Sequence, residues 1–130
     1  MFKKVLLVLV AALLVACSSE TPTQTPNGQY FVVQVGAEQF TMFVTDPSTI
    51  QLAMENLQKK NIKFPSGRIA FGSGGYNRPY DWHYVPETVR MVDLSAEVCD
   101  GLPSYVNTHL NDFLTAGYCP WSGKIIKVGL

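Results

Sequence analysis

The sequence predicts one small α+β domain: a mostly antiparallel sheet of about five or six strands, two helices and one disulfide. Three observations carry that prediction. Two runs rich in aromatic and β-branched residues, Tyr30 to Val35 and Gln39 to Thr45, are separated only by Gly36-Ala37-Glu38, a spacing that reads as a hairpin. Apolar residues recur at helical spacing in two places, after Asp46-Pro47 and after Pro103. Cys99 and Cys119 bracket the second of these patterns.

Ahead of the domain, Met1-Phe2-Lys3-Lys4 and the apolar run from Val5 to Val15 have the charged and apolar regions of a secretory signal. A spanning helix needs roughly twenty apolar residues, so this run is too short to remain in a membrane. It ends Leu14-Val15-Ala16-Cys17, which resembles the lipobox of bacterial lipoproteins. The resemblance implies cleavage before Cys17, lipidation of Cys17 and a place in the cell envelope. Ser18 in the next position implies the outer membrane in a Gram-negative cell. Residues 1–16 are then a lipoprotein signal peptide, residues 17–28 the lipidated cysteine and a tether, and residues 29–130 the globular domain. The tether is Pro-, Ser- and Thr-rich and reaches at most about 35 Å when extended.

The chain has 130 residues, enough for one core and too few for two once the leader is gone. Its ten Lys+Arg balance ten Asp+Glu, and losing Lys3 and Lys4 with the leader leaves eight cations against ten carboxylates. A slightly acidic domain without a basic run argues against nucleic acid as a partner. With Cys17 lipidated, Cys99 and Cys119 are an even pair in an oxidising compartment, where a disulfide is the default. The helix between them and the return after it can each span about 20 Å, so the two cysteines can meet.

Each element has its local reason. In the second strand Phe40, Met42 and Val44 share a face, and Phe43 on the other side predicts that the outer face is partly covered. Asp46 caps a helix with Pro47 in its first turn, and Ile50, Ala53, Met54 and Leu57 form its buried stripe. Lys59 and Lys60 are expected in its last turn, with Asn61 ending it. Gly67 to Phe71 reads as a third strand, Trp82 to Tyr84 and Thr88 to Leu94 as further strands, and Lys124 to Val128 as the last. Asp100 is the expected cap of the second helix, which carries Leu102, Val106, Leu110 and Phe113 and stops near Gly117.

Candidate chemistry is sparse. Gly72-Ser73-Gly74-Gly75 lacks the Lys-Ser/Thr and the following helix of a phosphate loop, so it reads as a turn. Only His83 and His109 are present, and neither lies in a metal-ligand spacing, so no metal or other cofactor is expected. Cys119-Pro120-Trp121-Ser122 resembles the Cys-x-x-Ser of monothiol glutaredoxins, yet a strand pattern follows where that fold needs a helix. No catalytic constellation is recognisable, and the domain reads as non-enzymatic. The densest recognition chemistry lies in Tyr76, Asn77, Arg78, Tyr80, Trp82 and His83, a candidate binding platform. Against it stands the alternation of Trp82 and Tyr84, which would send both into the core.

The second half resembles a known family. Gly67-Arg68-Ile69, Gly72 to Asn77, Trp82-His83, Glu97-Val98-Cys99-Asp100-Gly101, Pro103-Ser104-Tyr105-Val106 and Cys119-Pro120-Trp121-Ser122 are similar to the N-terminal domain of a slime-mould calmodulin-binding protein. That domain also occurs in small secreted bacterial proteins. The resemblance covers roughly Tyr30 to Val128 and implies a small secreted domain with no established enzymatic activity. Calmodulin itself is not an expected partner, because its targets are basic amphipathic helices and neither helix here is basic. The expected function is a non-catalytic binding or interaction module, lipid-anchored through Cys17, for a protein or glycan of the envelope. The alternative is a secreted peptidase inhibitor that uses the exposed loop from Gly72 to Arg78.

Overall fold

The computed structural model describes residues 27–130; the signal peptide, Cys17 and residues 17–26 of the tether lie outside the described residues. Strands β1 (Gln29–Val35) and β2 (Glu38–Val44) pair antiparallel through a two-residue turn, where Gly36 has a φ of 61°. The strand β7 (Lys124–Val128) adds to the far side of β1, giving the order β2-β1-β7. The register of β1 on β7 shifts between Val32 and Val33, which leaves Ile126 as the extra residue of a bulge.

Strict alternation decides the two faces of this sheet. Phe31, Val33, Phe40, Met42, Val44 and Ile125 turn inward and are buried. Outside, Thr41, Val32 and Lys127 form one cross-strand row and Phe43 and Tyr30 another. Phe43 is covered as expected: Tyr30 lies 4.6 Å from it, and Tyr76 lies 5.3 Å beyond Tyr30, between ring centroids.

Helix α1 (Pro47–Leu57) runs back across the inner face. Asp46 Oδ2 accepts from the Thr49 amide (3.0 Å), the Thr49 hydroxyl (2.7 Å) and the Ser48 hydroxyl (2.8 Å). These bonds, led by the Thr49 hydroxyl, hold the Asp46 carboxyl below its usual pKa. The helix ends one turn sooner than the lysines predict. Lys59 and Lys60 lie past it, Lys59 with a φ of 63°, because Asn61 folds back and donates to the Leu52 carbonyl at 3.0 Å. Asn56, which shares the inward side with Ala53, is buried and fully used. Its Nδ2 donates to Asn61 Oδ1 and to the Lys63 carbonyl (both 2.8 Å), and its Oδ1 accepts from the Ile125 amide at 2.9 Å. This one side chain ties α1, the following loop and β7 together.

The remaining strands are short and do not extend the first sheet. β3 (Phe64–Ser66) pairs with β6 (Arg90–Val92), and β4 (Ile69–Phe71) with β5 (Trp82–Tyr84), each antiparallel. The expected strand from Gly67 to Phe71 is thus shorter, since Gly67 and Arg68 interrupt it. Gly67 instead exchanges backbone hydrogen bonds with Tyr118, at 3.1 and 2.8 Å. Neighbouring Gly117 has a φ of 81°, and a Cβ there would stand 2.9 Å from the Gly67 carbonyl oxygen. Glycine is therefore required at 117 on both counts.

The second helical pattern is broken into α2 (Pro103–Thr108) and α3 (Leu110–Ala116) at His109, whose φ and ψ are −133° and 40°. His109 stacks on Tyr105 at 3.9 Å, and its Nδ1 contacts the Tyr105 carbonyl at 2.9 Å. A ring nitrogen there competes for the carbonyl that a continuous helix would use. Asp100 does not cap α2. Its Oδ1 accepts from the Gly101 and Trp121 amides, both at 2.9 Å, which straps the two chains of the clasp. Glu38 of β2 takes the capping role, accepting from the Ser104 amide at 2.9 Å and its hydroxyl at 2.7 Å. Glu97, expected to serve strand pairing, lies exposed in a 3-10 turn.

The Cys99–Cys119 disulfide is present, with the Cα atoms 5.1 Å apart and the Cys119 amide donating to the Cys99 carbonyl at 2.7 Å. Cys119 is thereby committed to Cys99 and not to Cys-x-x-Ser chemistry. Beside the clasp lies an aromatic core of Phe40, Trp82, Tyr84, Phe113 and Tyr118, with Tyr118 within 5.1 to 6.0 Å of Trp82, Phe40, Tyr84 and Phe113. The α+β class holds. The sheet itself is divided, and the helices number three among the described residues.

Candidate functional site

The segment from Gly72 to Asp81 connects β4 to β5 and is closed by several internal bonds. The Asn77 amide donates to the Ser73 carbonyl (2.9 Å), the Tyr80 amide to the Asn77 carbonyl (3.0 Å), and His83 Nδ1 bonds the Gly72 carbonyl (2.7 Å). The Asn77 side chain anchors the loop from within. Its Oδ1 accepts from the Thr41 amide and its Nδ2 donates to the Trp82 carbonyl, both at 2.8 Å.

This geometry divides the six candidate binding residues. Trp82 is 0% exposed and Asn77 is 1% exposed, so neither presents a face to a ligand. The short-strand alternation sent Trp82 inward, where its Nε1 donates to the Pro103 carbonyl at 3.3 Å. Asn77 is buried because the Thr41 amide, which faces away from β1, needs an acceptor. Tyr76 is half-buried over Tyr30, its hydroxyl donating to the Tyr84 carbonyl at 3.3 Å; burial and then the Tyr30 phenol push its pKa up to about 12. Tyr80 stacks on Trp82 at 5.8 Å between centroids, and burial, then Glu38, raises its pKa. His83 is partly covered by Tyr76, at 5.9 Å. Arg78 alone of the six is fully at the surface.

Arg78 overhangs a groove of about 580 Å³ on the outer face of the β2-β1-β7 sheet. Its floor is the Thr41–Val32–Lys127 row, and Gln39 and Ile126 form part of its walls. The lining side chains carry two cations, Arg78 and Lys127, and no carboxylate. The nearby Glu38 is engaged with Ser104. Such a groove can hold an anionic group by charge-assisted hydrogen bonds, with Arg78 offering the planar fork that matches a carboxylate.

Sequence reasoning missed Lys127 and Thr41 because each belonged to a strand, and nothing in one strand tells which loop will overhang it. Among the described residues no group of three His, Cys, Asp or Glu side chains could hold a metal ion. No helix of the described residues is long and apolar enough to cross a membrane.

The fold and groove define a small disulfide-clasped α+β domain with a binding surface on its sheet. The chain belongs to the family defined by the N-terminal domain of the slime-mould calmodulin-binding protein, whose sequence profile it matches over residues 27–129. The resemblance carried by Gly67 to Ser122 pointed to this family. No curated protein and no solved structure matches the chain.

Proposed function

We propose that the protein is a cell-envelope lipoprotein, anchored through Cys17, whose domain is a non-catalytic binding module for a carboxylate-bearing envelope glycan or protein segment. The observation that carries the reading is the Arg78–Lys127 groove: two cations over an open, partly apolar floor, with Thr41 and Gln39 as neutral hydrogen-bonding groups. The domain is acidic overall, so this local reversal of sign selects anions against the protein's own average.

The test is calorimetric titration of the oxidised chain from Ser18 to Leu130 with uronic-acid oligosaccharides, purified peptidoglycan fragments and acidic peptides. Wild-type binding to one of these classes, weakened at least roughly tenfold by Arg78→Glu with Lys127→Glu, supports the reading. Equal affinity of the double variant, or no binding to any of the three classes, refutes it.

The loop itself favours a second reading, a peptidase inhibitor. Gly72, Gly74, Gly75 and Arg78 are exposed while Asn77 braces the loop from inside, an arrangement suited to entering an active-site cleft without reshaping. Inhibition of a secreted or envelope protease that Arg78→Ala abolishes would favour this reading over the groove.

A further inference from the structure

Away from the groove, at the end of the molecule where α1 finishes and β7 begins, three large apolar side chains stand in solvent. Ile62 is 94% exposed, Leu94 88% and Trp121 44%. Between them lies a shallow cleft of about 240 Å³ floored by Phe64. On one flank a second cavity, of about 340 Å³, brings Ile62 and Trp121 together with Lys59, Lys63 and Lys124. Exposed Lys60 adjoins them in sequence. Asp93, on the opposite flank, is paired with Lys63 at 2.8 Å.

We propose that this end is a membrane-contacting surface, which seats Ile62, Leu94 and Trp121 at the headgroup level of a bilayer containing anionic phospholipid. The charge distribution argues for that occupant. Half of the eight cations beyond the leader, Lys59, Lys60, Lys63 and Lys124, gather beside the apolar tips of a domain that is acidic overall. Lysine is depleted at protein–protein interfaces, where arginine and tyrosine dominate, whereas lysines beside tryptophan and aliphatic tips suit a lipid headgroup layer. The tips protrude, as insertion into a fluid layer requires, and the lysine stems are long enough to lie along it with their ammonium groups among phosphates.

The inference rests on this surface alone and needs neither a lipid on Cys17 nor the Arg78 groove. It is compatible with the anchor. Strand β1 is about 20 Å long, and a tether reaching about 35 Å lets both ends meet one bilayer.

The test is co-sedimentation of the oxidised, unlipidated chain from Ser18 to Leu130 with phosphatidylcholine vesicles and with mixed phosphatidylglycerol–phosphatidylcholine vesicles. Tryptophan emission is read in parallel, with buried Trp82 as the internal constant and Trp121 as the reporter. Binding at least roughly tenfold tighter to the anionic vesicles, weakened by salt and accompanied by a blue shift, is the expected result. Ile62→Ser with Leu94→Ser should abolish it without moving the thermal melt, because both side chains lie outside the core. Lys59→Gln with Lys124→Gln should remove the anionic preference. No sedimentation with anionic vesicles overturns the proposal, as does sedimentation that the Ile62/Leu94 variant leaves unchanged. A concentration-dependent dimer lost in that variant, without vesicle binding, also overturns it and assigns the surface to a second copy of the chain.

Discussion

Raising the pH should unfold this domain through its buried phenols. Tyr84 and Tyr118 are both fully buried, with hydroxyls donating to the Tyr118 carbonyl at 2.9 Å and to the Gly101 carbonyl at 2.7 Å. Burial, and then each phenol's charged or phenolic neighbours, raises both pKa values above the ordinary tyrosine range. A folded-state pKa above the unfolded one means that the stabilisation is complete below about pH 10 and is lost as the pH rises beyond it. Two protons retained only by the folded state give a slope of about −2.7 kcal/mol per pH unit. By pH ~11.5 the loss is about 4 kcal/mol, much of the stability of a small domain. Half-buried Tyr76 adds a smaller amount, reduced by its contact with solvent. The assay follows phenolate absorbance near 295 nm and far-ultraviolet circular dichroism together through a rapid alkaline titration. The expected result is that some of the six tyrosines ionise while the dichroism is intact and the rest ionise in one step with its loss. Tyr118→Phe should reduce the slope by about half. Ionisation of all six near pH ~10 with unchanged dichroism would refute the burial and the argument built on it.

Four further outcomes follow from the same structure. Trp82→Ala should cost about 3–5 kcal/mol, read as a shift in denaturant midpoint; a cost under about 1 kcal/mol would return Trp82 to the surface. Replacing Cys99 and Cys119 by serine should cost about 3 kcal/mol through the 20-residue separation they close, and Ellman titration of the oxidised wild type should find neither thiol free. Asn56→Ala strips partners from the Ile125 amide and the Lys63 carbonyl and should cost about 1–3 kcal/mol by chemical denaturation, with hydrogen exchange at Ile125 accelerated. Cys17→Ala should move the protein from the membrane to the soluble fraction on cell fractionation; retention in the membrane would remove the lipid anchor from the proposal.

What was legible in the sequence were features that one segment decides alone. The β1–β2 hairpin, the Asp46 cap and β7 each follow from alternation, a capping oxygen or a β-branched run. The clasp was legible because two cysteines have few choices. Where a side chain from elsewhere decides, the local signal misled. Asp100 has the chemistry of an N-cap, yet Glu38, 66 residues from Ser104, does the capping and leaves Asp100 to hold the Trp121 amide. Helical periodicity runs through His109 without a break, because stacking on Tyr105 is invisible to it. The candidate platform failed in part for the same reason: Asn77 looked like a recognition residue, and its partners are backbone groups of β2 and β5.

The two proposed surfaces constrain each other through β7. Lys124 lines the apolar end and Lys127 the groove, three residues apart on one strand, so their Cα atoms stand about 10 Å apart. A domain seated on a bilayer by Ile62, Leu94 and Trp121 would then hold the Arg78 groove just above the headgroups, turned sideways and open. That placement suits a ligand lying along the membrane surface better than one approaching from bulk solvent. It also separates the two ideas experimentally, since Arg78→Glu alone should leave vesicle sedimentation unchanged, and Ile62→Ser with Leu94→Ser should leave binding of a soluble anionic ligand unchanged. If either substitution set abolished both activities, the groove and the apolar end would be parts of a single site, and the cations along β7 would have to be read as one continuous track.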